Sequence, residues 1–151
     1  SMSKKVFLGG TCSDSKWRDV IKPLLEIDYY DPVCTGEWNQ EAYLREIRER
    51  ETSDFVMYVV TPKMAGVYSI AEVIDDSNKR PEKTLFCYLS CDEEDVFTKS
   101  ELKSLGAVAK MVKNNGGKVF ESLNEMTKYL NTFAGTDVEH DVDDKLLELQ
   151  R

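Results

Sequence analysis

Asp54-Phe55-Val56-Met57-Tyr58-Val59-Val60 contains six apolar or aromatic residues in a row, with no polar residue alternating among them. A strand that is apolar on both faces has to be covered on both faces, and parallel sheets flanked by helices provide that cover. Four further short runs have strand character: Lys5-Val6-Phe7-Leu8, closed by Gly9-Gly10-Thr11; residues 27–30, closed by Asp31-Pro32; residues 83–89; and Lys118-Val119-Phe120. Helical patterns separate them. Trp17, Val20, Ile21, Leu24 and Leu25 recur at helical spacing, with Ser13, Asp14 or Ser15 as N-cap and Pro23 forcing a kink or an early end. Residues 39–52 predict a highly charged helix with Tyr43, Leu44 and Ile47 on one face, and a short helix follows within 66–80. A long helix over 100–114 is stopped by Asn115-Gly116-Gly117, and a last helix covers 123–133. Regular alternation of this kind, with right-handed crossovers, predicts an α/β flavodoxin-like three-layer sandwich. Its five-stranded parallel sheet takes the order 2-1-3-4-5.

At 151 residues the chain suits one domain, over residues 4–134, followed by an acidic tail over 135–151 with a possible short helix at its end. Ser1 ahead of Met2 reads as a tag remnant. The net charge of -8, much of it in the tail GTDVEHDVDD, argues against a nucleic acid polymer as partner. No apolar run approaches the roughly 20 residues that span a bilayer, so no membrane partner and a cytoplasmic location are expected. The four cysteines form no C-x-x-C pair and the single histidine, His140, lies in the tail, so no metal and no other cofactor is expected. Cys12 stands apart from the other thiols because it sits in the first loop.

Ligands of open α/β sheets bind beyond the carboxyl ends of the strands where strand order reverses, here between strands one and three. The loops GGTCSDSKW and TPKMAGVYS meet there, with Asp31 on the same rim. Glu72 has two readings at this place. Ser69-Ile70-Ala71-Glu72 matches the S-x-x-E capping box, in which the carboxylate serves its own helix. Alternatively, the carboxylate faces a ligand. Glu46 also has two readings, as an i,i+4 partner of Arg50 on a solvated face or as a second acid at the rim. Asp54 opens strand three at the opposite edge, where a structural role fits.

Phe7-Leu8-Gly9-Gly10-Thr11, Tyr30-Asp31-Pro32, Ser53-Asp54-Phe55-Val56 and the run G-V-Y-S-I-A-E at 66–72 together resemble the nucleoside 2-deoxyribosyltransferase-like family. The resemblance covers roughly residues 5–89. It implies that Glu72 is the catalytic glutamate and that Glu46 stands where the family has an acidic partner. It also implies a small-molecule nucleoside or nucleotide as ligand and a homodimer or larger homo-oligomer. With position, it puts Gly9, Gly10, Thr11, Trp17 and Asp31 around the nucleoside, and the Tyr68 and Ser69 hydroxyls beside Glu72. Trp17 equally fits the apolar spacing of its helix as a core residue. Ile70 and Ile74 stand where the family often has glycines flanking its glutamate.

The activity so implied is cleavage or transfer of an N-glycosidic bond through a glutamate nucleophile. The rival from another class is a non-catalytic nucleotide-binding sensor or accessory protein using the same crevice. An FMN-binding electron carrier is a third reading, resting only on the hydroxyl-rich GTCSDS loop. A phospho-acceptor receiver is disfavoured because Thr61-Pro62 follows strand three, where the acceptor aspartate belongs.

Overall fold

Every residue of β3 (Phe55–Val60) is buried, as its unbroken apolar run requires. The strand lies inside the sheet, paired in parallel with β1 (Lys5–Gly10) on one side and β4 (Thr84–Tyr88) on the other. β2 (Asp28–Tyr30) and β7 (Lys118–Val119) form the edges, giving an α/β fold with a five-stranded parallel sheet in the order β2-β1-β3-β4-β7. The computed structural model describes residues 3–12, 14–32 and 39–135. Ser13, Cys34, His140 and the tail beyond residue 135, with its expected helix, lie outside the described residues.

Side chains alternate across the sheet into two cores. Val6, Leu8, Met57 and Val59 pack with Trp17 and Ile21 of α1 (Trp17–Ile21) and with Met126 and Leu130 of α5 (Leu123–Asn131). Phe7, Val56, Tyr58 and Val60 pack with Val73 of α3 (Tyr68–Lys79) and with Leu105, Ala109 and Val112 of α4 (Lys99–Asn114). The period of two along each strand thus assigns every second residue to a different helical layer. Pro23 has the expected effect: α1 ends at Ile21 and the chain tightens into a 3-10 turn over Lys22–Leu24.

Helix α2 (Gln40–Thr52) is attached differently. None of its residues is buried, although Asn39 caps it through a bond from the Ala42 N–H. Charge fastens it instead, with Lys5 Nζ 2.9 Å from Glu49 and Arg50 2.8 Å from Asp75 and 2.9 Å from Asp76 on α3.

Two expected caps are not formed. α1 starts after Lys16 with no side-chain cap, and the Ser15 hydroxyl donates to Asp92 instead. α3 starts after Val67, also without a side-chain cap, so Ser69 is already inside the helix and Glu72 is its fifth residue. The S-x-x-E match at Ser69 is therefore not a capping box. The reciprocal box occurs at α4, where Thr98 N–H donates to Glu101 Oε1 and Glu101 N–H donates to Thr98 Oγ1. Replacing Thr98 by alanine is expected to cost about 1 kcal/mol in urea unfolding.

A feature with no sequence signal completes the rim. β5 (Cys91–Asp92) and β6 (Asp95–Val96) make a small antiparallel hairpin turning through Glu93 at φ 56°. One Asp92 oxygen accepts from Ser15 Oγ at 2.6 Å and from Thr61 Oγ1 at 2.7 Å, linking the loops that follow β1 and β3.

Gly9 and Gly10 end β1 against β3. A Cβ on Gly9 would lie 2.6 Å from the Tyr58 ring, and one on Gly10, at φ 120°, would lie 2.0 Å from the Val59 carbonyl oxygen. Neighbouring backbone and ring therefore demand both glycines before any ligand is considered. Gly10→Ala is expected to lower unfolding free energy by roughly 2–3 kcal/mol in a denaturant titration.

Candidate functional site

The crevice between β1 and β3 holds a cavity of about 280 Å³, bounded by Gly9, Gly10 and Thr11 at the end of β1 and by Gly66, Tyr68 and Ser69 at the start of α3. Glu72 and Glu46 both reach its wall, and so do Arg18, Cys12, Pro32 and Met64. The sequence left open whether α2 could bring Glu46 to the rim. It does, because the ion pairs of α2 draw it against α3. A second cavity of about 310 Å³ lies between these two helices and shares Glu46, Tyr68 and Glu72 with the first.

Glu72 is released from capping and its side chain is only 11% exposed. Its Oε2 lies 3.8 Å from Arg50 Nη1. Burial is the main cause that lifts the Glu72 carboxyl to about 7; Arg50 opposes the rise, while Glu46 and Asp76 add to it. Burial likewise raises Glu46, against the pull of Arg50 and Arg18. Two carboxyl groups in one wall, both raised, are the arrangement acid–base chemistry near neutral pH requires. The expected hydroxyl partners of Glu72 are not what holds it: Tyr68 lies 66% exposed at the cavity mouth, and the group drawn up to the carboxylate is Arg50. Arg50, in turn, forms its ion pairs with Glu72, Asp75 and Asp76, so the Glu46–Arg50 surface pair is not the role it takes.

Trp17 and Arg18 hold the end of β1 and the loop after it from within the fold. Trp17 is buried in the core and does not line the cavity; its indole N–H donates to the Thr11 carbonyl at 2.8 Å. Its apolar helical spacing indicated the core, and the structure agrees with that spacing. Arg18 is also buried. Its guanidinium donates to the carbonyls of Leu8, Gly10 and Thr11 at 3.0, 3.3 and 2.6 Å. Those carbonyls end β1, so a cation is used to fix the loop that faces the ligand. Asp31 stands behind it, paired with Lys22 and 3.6 Å from Arg18 Nε, rather than on the cavity wall. Thr11 joins the two loops, its N–H donating to Val59 O and its hydroxyl oxygen accepting from the Thr61 N–H at 3.0 Å.

Sequence reasoning did not single out Arg18, and it assigned Arg50 only to Glu46. Nothing in periodicity marks a buried arginine, because its partners are carbonyls and carboxylates supplied by other elements. Asp54 accepts from the Lys5 N–H at 2.8 Å at the far end of the sheet, consistent with a structural role. Among the described residues, no three His, Cys, Asp or Glu side chains are grouped to hold a metal ion, and no helix is long and apolar enough to cross a membrane. Compared with models of known families the chain matches none, and no curated protein is significantly similar to it.

Proposed function

We propose that this crevice cleaves or transfers the N-glycosidic bond of a nucleoside or nucleotide, in the manner of the nucleoside 2-deoxyribosyltransferase-like family and on a flavodoxin-like three-layer scaffold. The observation that carries the reading is the position of Glu72. It is free of its helix terminus and lies, 11% exposed, in the wall of a ligand-sized cavity, with a second carboxyl group in the same wall.

In the first step the C1′–N bond breaks and its electron pair leaves with the base, while a Glu72 oxygen forms an ester to C1′. Glu46, protonated beforehand, gives its proton to the departing base. In the second step water or a second base attacks C1′, the ester bond breaks with its electrons returning to Glu72, and Glu46 takes the proton of the attacking group. Gly9 and Gly10 allow backbone to approach the sugar, and Arg18 keeps the Thr11 loop fixed while this happens. Glu72 must be ionised and lies at about 7, so the rate of base release is expected to rise with pH through about 7. Burial also raises Glu46, which favours the protonated form that its role as donor needs.

Incubation with a panel of nucleosides and nucleotides, with and without an added free base, tests the reading by chromatography. Base release without an acceptor indicates hydrolysis, and base exchange indicates transfer. Thermal stabilisation by a nucleotide that is never consumed would overturn the catalytic reading in favour of a binding protein. The same reading carries a homodimer or larger assembly, which light scattering measures.

A further inference from the structure

We infer that Asp76 anchors Arg50 against Glu72, making Arg50 the positioning residue that keeps the attacking carboxylate charged and aimed into the crevice. This rests on the function proposed above and assigns roles to two residues that the mechanism does not use. Asp76 is fully buried one helical turn beyond Glu72, so both carboxylates occupy the same face of α3. Its Oδ2 accepts from the Tyr58 hydroxyl at 2.5 Å and from Arg50 Nε at 2.9 Å, and its Oδ1 accepts from Arg80. Arg50 Nη2 donates to Asp75 at 2.8 Å. Two nitrogens of the planar guanidinium are therefore fixed, and the remaining one, Nη1, is presented to Glu72 Oε2 at 3.8 Å.

The charge count around Glu72 makes the arrangement consequential. α2 contributes Arg50 and Glu46, α3 contributes Asp76, α1 contributes Arg18, and β3 contributes the Tyr58 hydroxyl bound to Asp76. Two carboxyl groups disfavour ionisation of Glu72 and two cations favour it, with Arg50 the stronger of the pair. A lysine at position 50 would keep the charge and lose the fork that orients it. An arginine without Asp76 would keep the charge and lose its anchor.

A purely structural bridge between α2 and α3 would change stability alone, so the test reads Glu72 directly. Protein labelled with ¹³C at glutamate carboxyls is titrated by NMR, and the Glu72 signal is assigned by its loss in Glu72→Gln. In Arg50→Gln the midpoint is expected to move up from about 7 by roughly one pH unit, with Arg50→Lys between it and the parent. Asp76→Asn removes both the anchor of Arg50 and a carboxylate that itself raises Glu72, and so moves the midpoint up less than Arg50→Gln does. The acid limb of kcat is expected to move by the same amount, with KM changed less. If Asp76→Asn does not fold, the two Arg50 variants carry the test. An unmoved Glu72 midpoint in folded Arg50→Gln overturns the inference, even if the parent protein releases base. A moved midpoint in a protein that never releases base leaves the Arg50–Glu72 link standing and removes the enzymatic reading.

Discussion

Glu72→Gln protein is expected to lose base release by on the order of a thousandfold or more, while becoming more stable at neutral pH. The two effects share one cause. The folded protein holds the Glu72 carboxyl at about 7, above its ordinary value of 4.5, chiefly by burial. A group raised in this way contributes stability below its unfolded value, and that contribution is lost as pH climbs through the folded one. Between about pH 4.5 and 7 the parent should therefore lose about 2 kcal/mol. This is less than the full shift would give, because solvent reaches part of the wall. The glutamine variant has no such slope. Urea unfolding at pH 4 and at pH 8 should show the two proteins alike at the lower pH and the variant ahead at the higher. If both unfold alike at both values, Glu72 is not a strained ionisable group. Acid quenching during turnover, followed by peptide mapping, should find the sugar ester on the segment bearing Glu72; an ester on Glu46 would exchange the two roles.

Asp76→Ala is expected to be the most destabilising single change among the charged groups behind the crevice, at about 3–5 kcal/mol by denaturant titration. The aspartate is fully buried and accepts bonds from Tyr58, Arg50 and Arg80. Its removal leaves one buried hydroxyl and two arginines without their shared acceptor. Asp54→Ala makes the contrast. That carboxylate sits at the amino-terminal end of β3 with one backbone bond and a 3.9 Å pair to Lys4, and should cost about 1 kcal/mol. A result in which the two variants unfold alike would mean that the network around Asp76 contributes no more than a surface contact.

The strand order could be read from the sequence because the determining signals are local. The unbroken run at residues 55–60 requires a covered central strand, and the turn at Asn115-Gly116-Gly117 separates α4 from β7. The β5–β6 hairpin left no such trace. Its strands have two residues each, too few for a period, and its turn uses Glu93 at positive φ where glycine or asparagine would have been the sign. The crevice was legible as a place, since topology fixes it, and Glu72 was legible as a residue in it. Its alternative as a cap was equally legible, and the start of α3 at Tyr68 rules that alternative out. The electrostatics could not be read at all. Arg18, Arg50 and Asp76 come from three helices, and only folding reveals that their charges meet.

The helix that carries Glu46 and Arg50 is held by ions and not by grease, since no residue of α2 is buried. Its outer pairs, Lys5 with Glu49 and Arg80 with Glu51, stand where dissolved electrolyte can reach them, whereas the contact to Asp76 is shielded. Glu46, the proton donor proposed above, is thus mounted on a helix whose attachment salt weakens. Added potassium chloride should blunt turnover at concentrations that leave the apolar layers, and hence the melting temperature, almost untouched.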